Sequence, residues 1–296
     1  MEEQKIDRPL VLTSDRLGDF TLPAVGASDN ISIDTAKNMH GVELYFTAAG
    51  TAATRAEIIA DVGRIKVRIA GALVMDLTAT EILDLYKYFN DKIGAFTVAG
   101  VLPLRFTPMM FPLTQNTQNY SIGMLNDTDP SRRNTCSIEV TMLSPGGGLT
   151  VDACQVHLLT DEFPKSSIGL HTRWRRHGDT WAAASEQTVD NIAIDRNCLG
   201  VYGYHFHETQ VISILSYKLN DRMIVYRQPN ALLLHRLNEA GRTPQTGYTH
   251  FDRSLCNDPR SFDDLTRNVN RVLLPTWAVA PNGYDILMQL LYNGLS

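Results

Sequence analysis

Only four cysteines occur in the 296 residues, Cys136, Cys154, Cys198 and Cys256, and no two are close enough to form a CxxC pair. This excludes a disulfide-stapled scaffold and a zinc finger, and predicts reduced, buried thiols and an intracellular site of synthesis. No apolar run approaches the ~18–20 residues a membrane helix needs. The start, Met1-Glu2-Glu3-Gln4-Lys5, lacks the basic and apolar blocks of an export signal. Neither sign of charge dominates: 27 Lys and Arg stand against 32 Asp and Glu, a formal charge of −5. A chain-wide field for phosphate backbones is therefore missing, which argues against sequence-wide nucleic-acid binding. Short catalytic signatures are missing too. There is no Gly-x-Ser-x-Gly elbow and no His-Glu-x-x-His helix, and Pro145-Gly146-Gly147-Gly148 is a turn rather than a phosphate loop because no Gly-Lys-Ser/Thr follows it.

What the chain does have is an ordinary globular composition, 44% hydrophobic and 20% charged, and a length suited to two domains. It also repeats itself. Asp29-Asn30-Ile31-Ser32-Ile33-Asp34 returns as Asp190-Asn191-Ile192-Ala193-Ile194-Asp195, with the alternation of a half-buried strand. Gly41-Val42-Glu43-Leu44-Tyr45-Phe46 meets Gly200-Val201-Tyr202-Gly203-Tyr204-His205-Phe206. Residues 65–75 then align without a gap on residues 215–225 as β-hairpins whose two-residue turns are Ala70-Gly71 and Asn220-Asp221.

Each hairpin leads into a helix. Thr78-Ala79-Thr80-Glu81 is a capping-box sequence, with Ile82, Leu85, Tyr86, Phe89 and Ile93 at helical spacing up to Gly94. In the second copy Pro229 opens the helix, Leu232, Leu233 and Leu237 form its apolar face, and Gly241 and Pro244 stop it. Matches that keep chain order while loops change length indicate a duplicated domain rather than a short-period solenoid. The predicted fold is all-β with a short helix per domain: two tandem, eight-stranded antiparallel jelly rolls. The boundaries are an N-terminal arm at 1–28, jelly roll 1 at 29–163 and jelly roll 2 at 164–296.

Two clusters carry candidate chemistry. His205 and His207 alternate on a strand, so they share a face and could ligate a metal as a cupin His-x-His does. Glu208 points the other way, and Pro244-Gln245-Thr246-Gly247-Tyr248-Thr249-His250 only shadows the second cupin motif. The weight therefore falls on no metal and no cofactor. Arg173-Trp174-Arg175-Arg176-His177 is the one dense basic cluster. It is either a strand whose Arg173, Arg175 and Arg176 pair with acidic neighbours, or a contact for lipid headgroups or phosphate. The acidic run Asp258-Pro259-Arg260-Ser261-Phe262-Asp263-Asp264 reads as a solvated loop.

Residues 65–110, with Val98-Ala99-Gly100-Val101-Leu102-Pro103-Leu104-Arg105-Phe106-Thr107-Pro108-Met109, resemble the major capsid proteins of corticovirus-type phages, tailless icosahedral viruses with an internal membrane. Residues 170–196, with Thr172-Arg173-Trp174-Arg175-Arg176, and the terminal strand 286–294 are similar in order and spacing. An insertion at 47–63 and a longer arm at 1–29 depart from that pattern. The resemblance implies a non-enzymatic double jelly-roll subunit whose homotrimers form pseudo-hexagonal capsomers. The implied partners are neighbouring capsomers, a vertex protein and the internal membrane, with no specific nucleic acid. The implied location is the virion, after synthesis and assembly in host cytoplasm, with long loops such as 107–133 and the arm making contacts between copies. A bicupin-like metalloenzyme and a tandem β-sandwich carbohydrate- or peptide-binding module remain as alternatives.

Overall fold

A computed structural model describes residues 12–90, 99–108, 120–126, 129, 131–144, 146–161, 168–190, 192–195, 197–208, 210–255, 262–266 and 270–294. The expected helix end at Ile93 and Gly94, most of the loop 107–133, and Cys256 lie outside them. In chain order the first half contains β1 (Leu12–Phe20), β2 (Ser28–Ile33), β3 (Met39–Ala48), β4 (Thr51–Ala52), α1 (Arg55–Asp61), β5 (Val62–Ile69), β6 (Ala72–Thr78), α2 (Ala79–Asn90), β7 (Val101–Arg105), β8 (Cys136–Met142) and β9 (Val151–Asp161). The second contains β10 (Leu170–Asp179), β11 (Cys198–His207), β12 (Ile212–Leu219), β13 (Arg222–Pro229), α3 (Asn230–Glu239), β14 (Tyr248–Asp252), β15 (Asp263–Asp264), β16 (Arg271–Trp277) and β17 (Tyr284–Asn293).

The two halves are wired alike. One sheet of the first runs β1-β9-β3-β7, and its counterpart runs β10-β17-β11-β14. The opposing sheets run β2-β8-β5-β6 and β16-β12-β13. All pairings within these sheets are antiparallel, and each sheet alternates early and late strands, which is jelly-roll wiring. In the second half the strand equivalent to β2 shrinks to bridges at Glu186–Thr276 and Val189–Leu273. The cause is chemical: Gln187 donates to the Pro275 carbonyl, but Pro275 has no N–H to return. The expected second strand at 190–195 is accordingly corrected. Those of its residues that are described form no strand, and the segment matching β2 ends at Val189.

The hairpin turns match in conformation as well as length. Ala70 and Gly71 have φ of +46° and +83°, and Asn220 and Asp221 have φ of +50° and +61°. Positive φ at both central residues is the turn that suits the right-handed twist of paired strands. Gly41 and Gly200 mark the same point of β3 and β11, opposite Leu159 and Leu291. A Cβ on Gly41 would lie 2.5 Å from the Leu104 carbonyl oxygen, and one on Gly200 2.1 Å from Phe262 Cδ2. The duplicated glycine is thus a requirement of close approach.

α2 begins with the expected capping box: the Thr78 amide donates to Glu81 Oε2 at 2.8 Å, and the Glu81 amide to Thr78 Oγ1 at 3.2 Å. The insertion at 47–63 folds as β4 and α1, which carries its own capping box at Thr54 and Glu57. On α3, Leu233 and Leu237 are buried but Leu232 is exposed, so the expected three-leucine face is narrower than its sequence. The N-terminal boundary also needs correction. Residues 12–20 form β1, paired along β9 from Leu12–Asp161 to Phe20–Cys154, and so belong to the first sandwich rather than to an arm.

Candidate functional site between the sandwiches

The two sheets that share a wiring differ in burial. On β9, Cys154, Val156 and Leu158 face the core while Gln155, His157 and Leu159 are only half-buried. On β17 every position from Ile286 to Tyr292 is buried. Ile286, Met288, Leu290 and Tyr292 enter the second sandwich's own core, whereas Leu287 and Leu291 join Trp174, Tyr202 and Tyr248 in the core of the first. A strand covered on both faces has no alternation to show, which is why Ile286-Leu287-Met288-Gln289-Leu290-Leu291 is nearly continuous in apolar character. The first sandwich covers that outer face with Tyr88 and Phe89 of α2, which meet His250 and His205, and β6 lies beside β10.

At one end of this seam Glu81, with a side chain 1% exposed, is bound by Arg176 and by His207, whose Nδ1 is 3.2 Å from Glu81 Oε1. Arg176 also reaches Asp285 at 2.5 Å. Burial pushes the Glu81 carboxyl up, but His207, the Thr78 amide and Arg176 outweigh it and hold it below its ordinary value of 4.5. Deeper in, Tyr88 stacks on His250 at 3.9 Å and donates to Asp252 Oδ2 at 3.2 Å. Arg242 meets the same carboxylate at 2.8 Å and lies 5.3 Å from the Phe89 ring centre. His205 and His250 face each other, Nδ1 to Nδ1, at 2.8 Å.

The sequence's candidate residues can now be placed. His205 and His207 do share a face, but His205 turns to His250 and His207 to Glu81 and the Tyr248 ring, so they do not converge on one point. Among the described residues no group of three or more His, Cys, Asp or Glu is placed to hold a metal ion. Glu208 is buried, accepts from Thr249 Oγ1 at 2.7 Å, and is pushed up to about 8 by burial. With Asp179, His207, Tyr284 and Asp285 it lines an open cleft of about 650 Å³ at the end of the seam.

The basic cluster is a strand with internal partners. Arg173 is 1% exposed, donates to His171 Nε2 at 3.0 Å and stacks over Tyr292 at 4.0 Å. Arg175 pairs with Asp195 at 2.5 Å, and Arg176 with Glu81 and Asp285. Of the two readings of this cluster, the structure shows the strand: each of Arg173, Arg175 and Arg176 has partners within the chain. Asp263, read as part of a solvated loop, is buried between Tyr217 Oη at 2.8 Å and Arg253 Nε at 2.9 Å. The three described cysteines are free and buried; burial pushes Cys136 and Cys154 up to about 12 and Cys198 to about 11.

Sequence reasoning missed two surfaces. β13, the counterpart of β6, leaves Met223, Ile224 and Tyr226 exposed, Tyr226 by 71%, and α3 leaves Leu232 exposed beside them. The outer face of the β1-β9-β3-β7 sheet is less closed than that of its counterpart: among the described residues Glu43, Tyr45, Thr47, Gln155 and His157 are half-buried there, while Pro103 and Arg105 of β7 are buried. Leu44 opposite Val156 matches Tyr204 opposite Met288, so Tyr45 and Thr47, both half-buried, stand where His205 and His207 stand in the seam. The signal was available as apolar residues of β13 that the hairpin alternation does not need.

At the sequence level no protein-family model and no curated protein matches the chain. Solved structures do. The major capsid protein P2 of bacteriophage PM2 is similar at a TM-score of 0.75 and 12% identity, covering 96% of this chain and 98% of that one. PBCV-1 VP54, fitted into a reconstruction of the virophage Sputnik, gives 0.62 at 10% identity, covering 98% and 97%. The structure of Sulfolobus Turreted Icosahedral Virus gives 0.60 at 11% identity, covering 94% and 90%. In wiring, length and duplication, the chain has the double jelly-roll fold of these capsid proteins.

Proposed function

We propose that the chain is a non-enzymatic major capsid protein of an icosahedral virion, and that three copies close into a capsomer of six sandwiches. The observation that carries this reading is the half-used seam. Within one chain, the α2 and β6 side of the first sandwich covers the outer face of the second sandwich's β10-β17-β11-β14 sheet. Among the described residues the same two surfaces recur less closed: β13 and α3 on the second sandwich expose Met223, Ile224, Tyr226 and Leu232, and the outer face of β1-β9-β3-β7 on the first leaves Tyr45, Thr47, Gln155 and His157 half-buried. A surface of one kind at one end and its complement at the other is a head-to-tail interface, which yields a ring when the rotation closes. Repeating the internal seam between copies would alternate first and second sandwiches around that ring. Three copies then give six similar sides for packing against neighbouring capsomers.

The division into sandwiches in this reading is 12–161 and 168–294. Contact with a vertex protein and an internal membrane enters through the sequence resemblance; Arg173, Arg175 and Arg176 already have partners within the subunit. Among the described residues no helix is long and apolar enough to cross a membrane.

The test is a Tyr226→Asp, Leu232→Asp double variant. Two carboxylates placed on the uncovered face should leave a folded monomer with an unchanged circular dichroism spectrum. A variant that keeps the mass of the unsubstituted protein would refute the interface.

A further inference from the structure

We propose that His205 and His250 form an acid-sensitive latch that holds the two sandwiches of one chain together at neutral pH and releases them as pH falls. The latch lies within a single subunit and stands whether or not copies assemble.

The hydrogen bonds assign its protons. His250 Nε2 accepts from the Gln245 amide at 3.3 Å, so its proton is on Nδ1 and is donated to His205 Nδ1 at 2.8 Å. His205 therefore carries its own proton on Nε2. That atom is buried without a partner, in the space over Gly203, where an added Cβ would come within 3.0 Å of it. Only this pairing of tautomers makes the bond. A proton added to His205 Nδ1 sets two N–H groups against each other, and one added to His250 Nε2 removes the bond from Gln245.

Among the described residues, none that faces the pair is free to neutralise an imidazolium. From α2 it faces the Tyr88 ring and, at 5.8 Å from His205, the Phe89 ring. From β10 it faces Trp174, at 5.8 Å, and from β14 the Tyr248 ring, stacked on His250 at 5.4 Å. Gln289 of β17, opposite Gly203, is neutral. The charged groups near it are Asp252 and Arg242. Asp252 is already occupied by Arg242, the Tyr88 hydroxyl, and the Ser254 amide at 2.7 Å. Glu81, on the outer side of α2, is committed to Arg176 and His207. Burial accordingly depresses both rings, His205 to about 4 and His250 well below its ordinary 6.5.

The sign follows from linkage. A base whose pKa is lower when folded binds protons preferentially when exposed, so the stability it contributes is complete above about 6.5 and is lost as pH falls toward 4. The rings touch α2 from one sandwich and belong to strands of the other, so the contact that fails is the seam. The interior of the second sandwich, built on Val201, Phe206, Leu215, Met288 and Trp277, contains neither ring.

The experiment is hydrogen exchange of the full chain at pH 7.5 and 5.0, corrected for intrinsic exchange rates and read by peptide. Protection in α2 and β14 should fall roughly 30-fold at pH 5.0 from His205 alone, while β12 and β16 keep theirs. A His205→Gln, His250→Gln variant should lose that pH dependence. Equal protection at both pH values, or an equal loss in every peptide, overturns the proposal. Should the variant fail to fold, nitrogen-15 NMR of the unsubstituted protein decides. His250 protonated on Nδ1 and His205 on Nε2 at pH 7.5, both converting to imidazolium as α2 opens, supports the latch; rings that stay neutral while α2 opens refute it.

Discussion

Replacing Glu81 removes a carboxylate that does two things at once, and its cost can be worked from its contacts. As the second half of the capping box it holds the Thr78 amide, a contribution of about 1 kcal/mol. As the partner of Arg176 it closes a buried ion pair, whose loss from one side costs ~3–5 kcal/mol. Arg176 keeps Asp285, so the low end applies, and Glu81→Ala should cost about 4 kcal/mol in all. Glu81→Gln keeps the shape and some of the hydrogen bonding and should cost about half as much. For a chain of 296 residues, with an unfolding entropy near 2.1 cal/mol/K per residue, 4 kcal/mol is about 6 °C in Tm.

The sharper assay is a double-mutant cycle of Glu81→Gln and Arg176→Gln, measured by chemical denaturation. The predicted coupling is at least about 1 kcal/mol, and additivity within about 0.3 kcal/mol would refute the seam pair. The pH dependence adds a check. Because the folded carboxyl lies below its ordinary 4.5, its contribution is present above that value and is lost as pH falls through the lower folded value. The stabilities of wild type and Glu81→Gln should therefore converge in acid, in a window below that of the histidine latch.

Two further predictions concern the subunit alone. Gly41→Ala should destabilise by about 1–3 kcal/mol, because the new Cβ meets a backbone oxygen at 2.5 Å and not a movable side chain; an unchanged Tm would contradict the close approach. Cys136, Cys154 and Cys198 should resist alkylation at pH 8 until the chain unfolds, since burial holds all three thiols protonated. Peptide mapping that finds any of them labelled in the native protein would count against the packing.

The repeat was legible where it rested on local geometry. Ala70-Gly71 and Asn220-Asp221 demand the same turn, and Gly41 and Gly200 the same close approach, so these positions repeat in kind. The hairpin offset of 150 does not carry into the helices. Ile82 matches Leu233, not Leu232, because β13 carries two register shifts against one in β6. β1 was missed because Leu12-Thr13-Ser14-Asp15-Arg16-Leu17-Gly18-Asp19-Phe20 is a polar edge strand with no clean period. The seam was illegible for another reason. The common face of His205 and His207 follows from alternation, but their partners Glu81, Tyr88 and His250 are supplied by the topology from elsewhere in the chain. The same holds for Arg173, Arg175 and Arg176, whose neighbours in sequence do not include Asp195, Glu81 or Asp285.

The claim that a half-used seam closes between copies is tested most directly by the mass of the unsubstituted protein in solution. Light scattering across a dilution series should give about three times the 33.0 kDa chain mass, with larger particles at high concentration. A species that remains at 33.0 kDa throughout would contradict the account.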